Sequence, residues 1–196
     1  GVTFQSCIDS IVDGCEIYDH QSTYAGYGYG ISVANACRNI AINNNSINTY
    51  GHCVTIGGNK ADGYPTHISY DNNFLAGEAH PVDAHFGGYV TYTNNFISSR
   101  QAGALMSLGS DTVIVEGCVF ANTSGVAIAP RTDVSMLRHV VISDCTFDNI
   151  GGTCVWFRNL LLFETLSITG CQFENVGGKG VIVRNIGSSS PADPNS

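Results

Sequence analysis

Charge is what this sequence has least of. Asp, Glu, Lys and Arg together make up 12% of its 196 residues, and only eight are Lys or Arg. So little charge is unusual for a helical protein, whose solvent face is ordinarily charged. The net charge of −8, with no clustered Lys or Arg, removes the electrostatic footprint of a nucleic-acid-binding protein. It also works against a strongly polyanionic ligand unless local basic residues reverse the field. Long apolar runs are missing too, so no helix is expected to insert into a membrane, and no signal-peptide pattern is present. The chain opens inside a patterned segment without an initiator Met, which predicts a piece of a longer protein.

What is abundant is Gly, with 23 residues, together with Asn and a repeat. One frame recurs: apolar, any, apolar, two polar or Gly residues, Asn or Cys, any, apolar. It reads NIAINNNSI at 39–47, HISYDNNFL at 67–75, YVTYTNNFI at 89–97, TVIVEGCVF at 112–120, HVVISDCTF at 139–147 and TLSITGCQF at 165–173. A weaker copy, DSIVDGCEI, stands at 9–17. The Asn or Cys falls at Cys15, Asn45, Asn73, Asn95, Cys118, Cys145 and Cys171, in steps of 22 to 30 residues. After each frame comes a second short strand: GISV (30–33), CVTI (53–56), PVDA (81–84), LMSL (105–108), GVAI (125–128), CVWF (154–157) and GVIV (180–183).

Two or three short strands per repeat, with a period in the twenties and variable loops, describe the coil of a parallel β-helix. The fold expected is all-β: a single-stranded right-handed parallel β-helix of about seven coils. It covers residues 1–186, with 187–196 as a flexible tail or linker by composition. Parallel crossovers are right-handed, and seven coils at the strand spacing make a rod of roughly 34 Å. Stacked coils place equivalent residues in columns. Asn45, Asn73 and Asn95 then form a hydrogen-bonded ladder. Cys118, Cys145 and Cys171 continue it as small apolar fillers, so the eight cysteines are expected as free thiols rather than as a disulfide framework. Three longer inserts, 57–67, 129–139 and 157–165, project from one edge. The last carries Leu160, Leu161, Leu162 and Phe163, too apolar for a solvent loop, and predicts a contact with a partner chain. The outward-pointing Trp156 beside it supports the same interface.

The segment EAHPVDAHFGGYVTYTNNFI (78–97) concentrates the chemistry. Asp83 and His85 share the outward face of one strand, about 7 Å apart by strand rise. Thr55 and Ser107 flank Asp83 on neighbouring coils, and Gly57 and Gly109 leave His85 in a shallow trough. His80 aligns with His52 one coil earlier and with Tyr29 one coil before that. Histidine titrates near neutral pH and serves as general acid or base, while a carboxylate orients or neutralises it. The catalytic candidates are therefore Asp83, His85, His80 and His52. Lys60 on the preceding loop is the nearest cation for a sugar carboxylate. Glu78 and Tyr29 complete the substrate-binding candidates, Tyr29 together with Tyr24 and Tyr27 as rings that stack on sugars or pack a Gly-Tyr turn. His52, His80, His85 and Asp83 are metal-ligand types, but their spacing matches no standard signature, and no metal or cofactor is expected.

With the repeats laid out, the chain resembles right-handed parallel β-helix proteins that act on carbohydrates. One branch is phage tail spikes and appendages, whose Asp-X-His-Gly segments followed by a strand and Asn are similar to DAHFGGYVTYTNN at 83–95. The other is the mannuronan C5-epimerases and related lyases, with an Asp-Pro-His motif and a Tyr three residues before the Asp. In HPVDAH (80–85) Asp83 and His85 match, Ala84 stands for the Pro and His80 for the Tyr. The resemblance implies recognition and processing of a surface polysaccharide, on the virion surface or outside the cell, in a trimer assembled through 160–163. Its alternatives are an alginate-type epimerase or lyase acting on acidic sugars, and a non-catalytic trimeric shaft. No nucleic acid and no membrane insertion belong to any of the three.

Overall fold

The computed structural model describes residues 1–20, 28–58, 61–78, 80–99, 103–131, 137–158 and 164–184. Among these, the strands form three wholly parallel sheets of eight, seven and seven members, here sheets A, B and C. The chain visits them in the order B, C, A and then steps to the next coil, as in Arg38–Asn43, Ser46–Thr49 and Val54–Gly57. The result is a right-handed solenoid of about six turns, against the seven expected from the repeats. Each turn has three strands, because the repeated frame bends at its Asn or Cys and its last residues start the strand of sheet C.

The bend explains the frame. The residue just before the ladder position has positive φ in every copy: Gly14, Asn44, Asn72, Asn94, Gly117, Asp144 and Gly170, all between 53° and 64°. Gly, Asn and Asp tolerate this left-handed region best, which is why the frame demands them there. The next residue turns inward. Asn45 donates from its backbone N and its side-chain Nδ2 to Oδ1 of Asn73, both at 3.0 Å. Asn73 repeats the pattern on Asn95 at 2.9 Å. The remaining amide hydrogens of Asn73 and Asn95 reach the carbonyls of Ile42 and Tyr70, so three buried carboxamides are satisfied. Cys118 and Cys145 continue the column fully buried, and all eight cysteines are free thiols. Burial pushes Cys53 up to about 12 and Cys154 up to about 11, so both remain neutral core-filling groups at pH 7.

Alternation then sorts the side chains. On sheet A, Val54, Ile56, Val82, Ala84, Met106 and Leu108 point inward and are almost wholly buried, each larger one contributing about 1.5–3 kcal/mol. Tyr70 and Tyr92 stack in the interior with ring centroids 5.0 Å apart, as do Phe120 and Phe147. Columns are kept because neighbouring coils pair in register: Val82 lies between Val54 and Met106, and Asp83 between Thr55 and Ser107.

One alignment differs from the sequence reading. The strand after LMSL is Ile128–Pro130, with Met106 paired to Ile128 and Leu108 to Pro130. GVAI at 125–128 was expected there, two residues too early. Residues 125–127 complete the preceding corner instead, and Arg131 enters the column of Gly109 and His85. Lys60, Tyr24, Tyr27, the 160–163 segment and the 187–196 tail lie outside the described residues.

Candidate functional site

The chemistry gathers on the outer face of sheet A. Asp83 sits in the middle of Val82–Ala84, facing away from the core as alternation requires. It is nevertheless buried, with its side chain 4% exposed, which corrects the expectation of an open strand face. Outward is not the same as solvated: side chains from three coils close over it. Nε2 of His85 lies 3.0 Å from Oδ2 of Asp83, Nε2 of His52 lies 3.4 Å from the same oxygen, and Arg131 bonds Oδ1 through its guanidinium. The buried carboxylate is thus paired with an arginine, the condition under which a buried charge is tolerated.

Hydrogen bonding fixes the ring protons. Nδ1 of His52 stands 2.6 Å from the carbonyl oxygen of His80, and Nδ1 of His80 stands 2.7 Å from that of Ala104. A carbonyl only accepts, so in both rings Nδ1 carries the hydrogen. A neutral His52 therefore turns the lone pair of Nε2 toward Asp83, at a separation too long for a hydrogen bond. Burial lowers the pKa of His52 below 6.5, outweighing the His80 carbonyl and the Asp83 charge, which both raise it. His85 has the opposite tautomer. Its Nε2 donates to the carboxylate, and Nδ1 is left as the basic nitrogen. Its side chain is 41% exposed, so His85 is the member of the group that meets solvent.

The remaining candidates divide. Tyr29, His52 and His80 form the expected column, with centroids 5.5 and 5.9 Å apart and nearly parallel planes. Tyr29 covers His52, and His80 braces it through the carbonyl, so neither Tyr29 nor His80 makes a bond to Asp83. Glu78 lies away from the cluster, in a groove beside sheet C. Arg158 pairs with Arg184 in the sheet A register, and Trp156 is half-buried.

Arg131 was missed from sequence. Its signal was the column itself, Gly57, His85, Gly109, Arg131, hidden by aligning 125–128 two residues early. Among the described residues no set of three or more His, Cys, Asp and Glu is arranged to hold a metal ion. The cluster instead has the parts of an oriented general base: Asp83 sets the tautomer of His85, Arg131 neutralises Asp83, and Nδ1 of His85 is available to take a proton.

Compared with known proteins, residues 48–195 match the family described as "Right handed beta helix region". No curated protein and no solved structure matches.

Proposed function

The chain belongs to the right-handed β-helix family, and on that scaffold we propose that it recognises a surface polysaccharide and processes it with His85 as general base. One observation carries the reading. Asp83 is buried and bonded to His85 and Arg131 with His52 alongside, and only His85 among the two rings opens to solvent. A group whose role was solubility would not be buried, and a group whose role was packing would not need an exposed imidazole at its end. Mutually bonded acidic and basic side chains gathered on one face, one of them buried, are where function concentrates.

The reaction class follows from the donor set. Hydrolysis by the usual pair of carboxylates needs a second acid across the scissile bond, and among the described residues the cluster holds one. His85 with Asp83 behind it suits abstraction of a proton, from a sugar carbon or from an attacking hydroxyl. The rod supplies the other half of the reading: parallel coils present the same side-chain positions repeatedly along one axis, as a repeating polymer does.

The test is a panel of bacterial surface polysaccharides incubated with wild type and with His85→Ala. Product mass reports cleavage, and proton NMR of the recovered polymer reports inversion or a new double bond. Turnover in wild type that disappears in His85→Ala supports the reading. Turnover retained in His85→Ala, or binding with no turnover in either protein, moves the chemistry elsewhere.

A further inference from the structure

A concavity of about 990 Å³ runs along sheet C. None of Asp83, His52, His85 and Arg131 lines it. Its walls come from five successive coils, from the strand Ser46–Thr49 to the strand Thr146–Ile150. Four coil steps amount to roughly 19 Å, room for about four pyranose rings laid end to end along the axis.

The lining has a definite chemistry. Asn48, Asn122 and Asn149 bring carboxamides, and Ser98, Ser124 and their neighbours bring hydroxyls. Both kinds of group donate and accept, the property that matches the paired donor and acceptor of each sugar hydroxyl. Asn122 and Asn149 are held to one another by a 2.9 Å bond, so their spacing is set before any ligand arrives. Tyr50 and Phe74 are each 45% exposed in the same groove, and Phe74 is steadied by stacking on Phe96 at 5.1 Å. Exposed aromatic rings suit the C–H faces of sugar rings. Ala76 and Gly77 keep the floor low. The one charged group among the described lining residues is an acid, Glu78, and the chain's net charge of −8 disfavours uronates. A peptide would find little apolar burial here, and a nucleic acid no cation among the described lining residues.

We propose that this groove is a non-catalytic binding site for uncharged oligosaccharides of about four rings. It deepens the recognition half of the function proposed above and rests on it for the choice of a glycan, while the groove itself is separate from the Asp83 cluster.

The experiment is a titration of the ¹⁵N-labelled protein with tetrasaccharides, in an uncharged set (gluco-, manno-, galacto- and N-acetylhexosamine) and a uronate set, followed by amide shifts. At least one uncharged tetrasaccharide is expected to shift the amides of Asn48, Gly77, Ser98 and Asn122. Tyr50→Ala, at an exposed position, is expected to weaken it about tenfold with an unchanged circular dichroism spectrum, and His85→Ala is expected to leave affinity as in wild type. No groove shift with any uncharged tetrasaccharide, uronates binding as tightly, or shifts confined to the Asp83 cluster would each overturn the proposal. Because His85→Ala probes turnover and Tyr50→Ala probes the groove, the two proposals fail separately.

Discussion

Nε2 of His52 lies 3.4 Å from Oδ2 of Asp83, one coil further along the rod, and the nearer ring nitrogen carries no hydrogen while His52 is neutral. A proton taken up there turns a lone pair facing a carboxylate into an ion pair. Burial opposes that uptake, so the contact is held in its neutral form near pH 7.

This has a consequence for stability. The folded pKa of His52 lies below its ordinary 6.5, so between those values the unfolded chain binds a proton that the folded chain does not. The associated stability is present above pH 6.5 and is lost as pH falls through the lowered value. Urea unfolding at several pH values from 7.5 to 4.5 is expected to show a steeper loss in wild type than in His52→Gln. Equal slopes would mean that His52 titrates normally.

The Asn ladder makes a second prediction. Asn73→Ala removes the two bonds donated by Asn45 and the two that its own Nδ2 donates, to Asn95 and to the Ile42 carbonyl, and takes the acceptor from the buried backbone N and side-chain amide of Asn45. Its cost is expected to be about 2–3 kcal/mol, whereas Asn149→Ala, at an exposed side chain bonded to Asn122, costs less than about 1 kcal/mol. Denaturant unfolding of the two variants checks the difference.

The interior tyrosines run the other way. The hydroxyls of Tyr70 and Tyr92 are buried and have no hydrogen-bond partner among the described residues. Burying an unpaired hydroxyl is unfavourable, so Tyr92→Phe keeps the stacked ring and is expected to be neutral or to raise stability by about 1 kcal/mol. A loss of 1 kcal/mol or more in thermal or urea unfolding would show that the hydroxyl is bonded in solution.

Two glycines flank His85 and differ in their surroundings. A Cβ on Gly109 would stand 2.4 Å from the carbonyl oxygens of Ala84 and His85, whereas one on Gly57 would meet nothing within 4 Å. Gly109→Ala is expected to push the strand bearing Asp83 aside, costing about 1–3 kcal/mol and most of the turnover, although Gly109 offers no reacting group. Gly57→Ala is expected to leave both nearly unchanged. Assaying the two side by side separates the shape of the trough from its chemistry.

Much of this was legible in the sequence, for a physical reason. A solenoid repeats its local rules, so the left-handed corner forced Gly, Asn or Asp into Gly14, Asn44, Asn72 and their equivalents, and the period could be counted. The same columns placed His52 beside His80 and Thr55 beside Asp83. What was hidden depended on side-chain reach and on one corner's length. Alternation correctly put Asp83 on the outer face, but its burial comes from His52, His85 and Arg131 closing over it from different coils. Arg131 escaped because 125–127 belong to a corner, which moved its strand two residues along. The groove of sheet C escaped because its lining is ordinary in sequence: Asn, Ser and Thr become a feature only when five coils align them.

The account turns on which nitrogen of His85 is basic, and long-range ¹H–¹⁵N NMR of the histidine side chains reads this directly. The prediction is a neutral His85 with hydrogen on Nε2 and a lone pair on Nδ1 in wild type, a preference that weakens in Asp83→Asn, while His52 keeps its hydrogen on Nδ1. Hydrogen on Nδ1 of His85, or a tautomer unaffected by Asp83→Asn, would contradict the role of Asp83 as the group that sets the base.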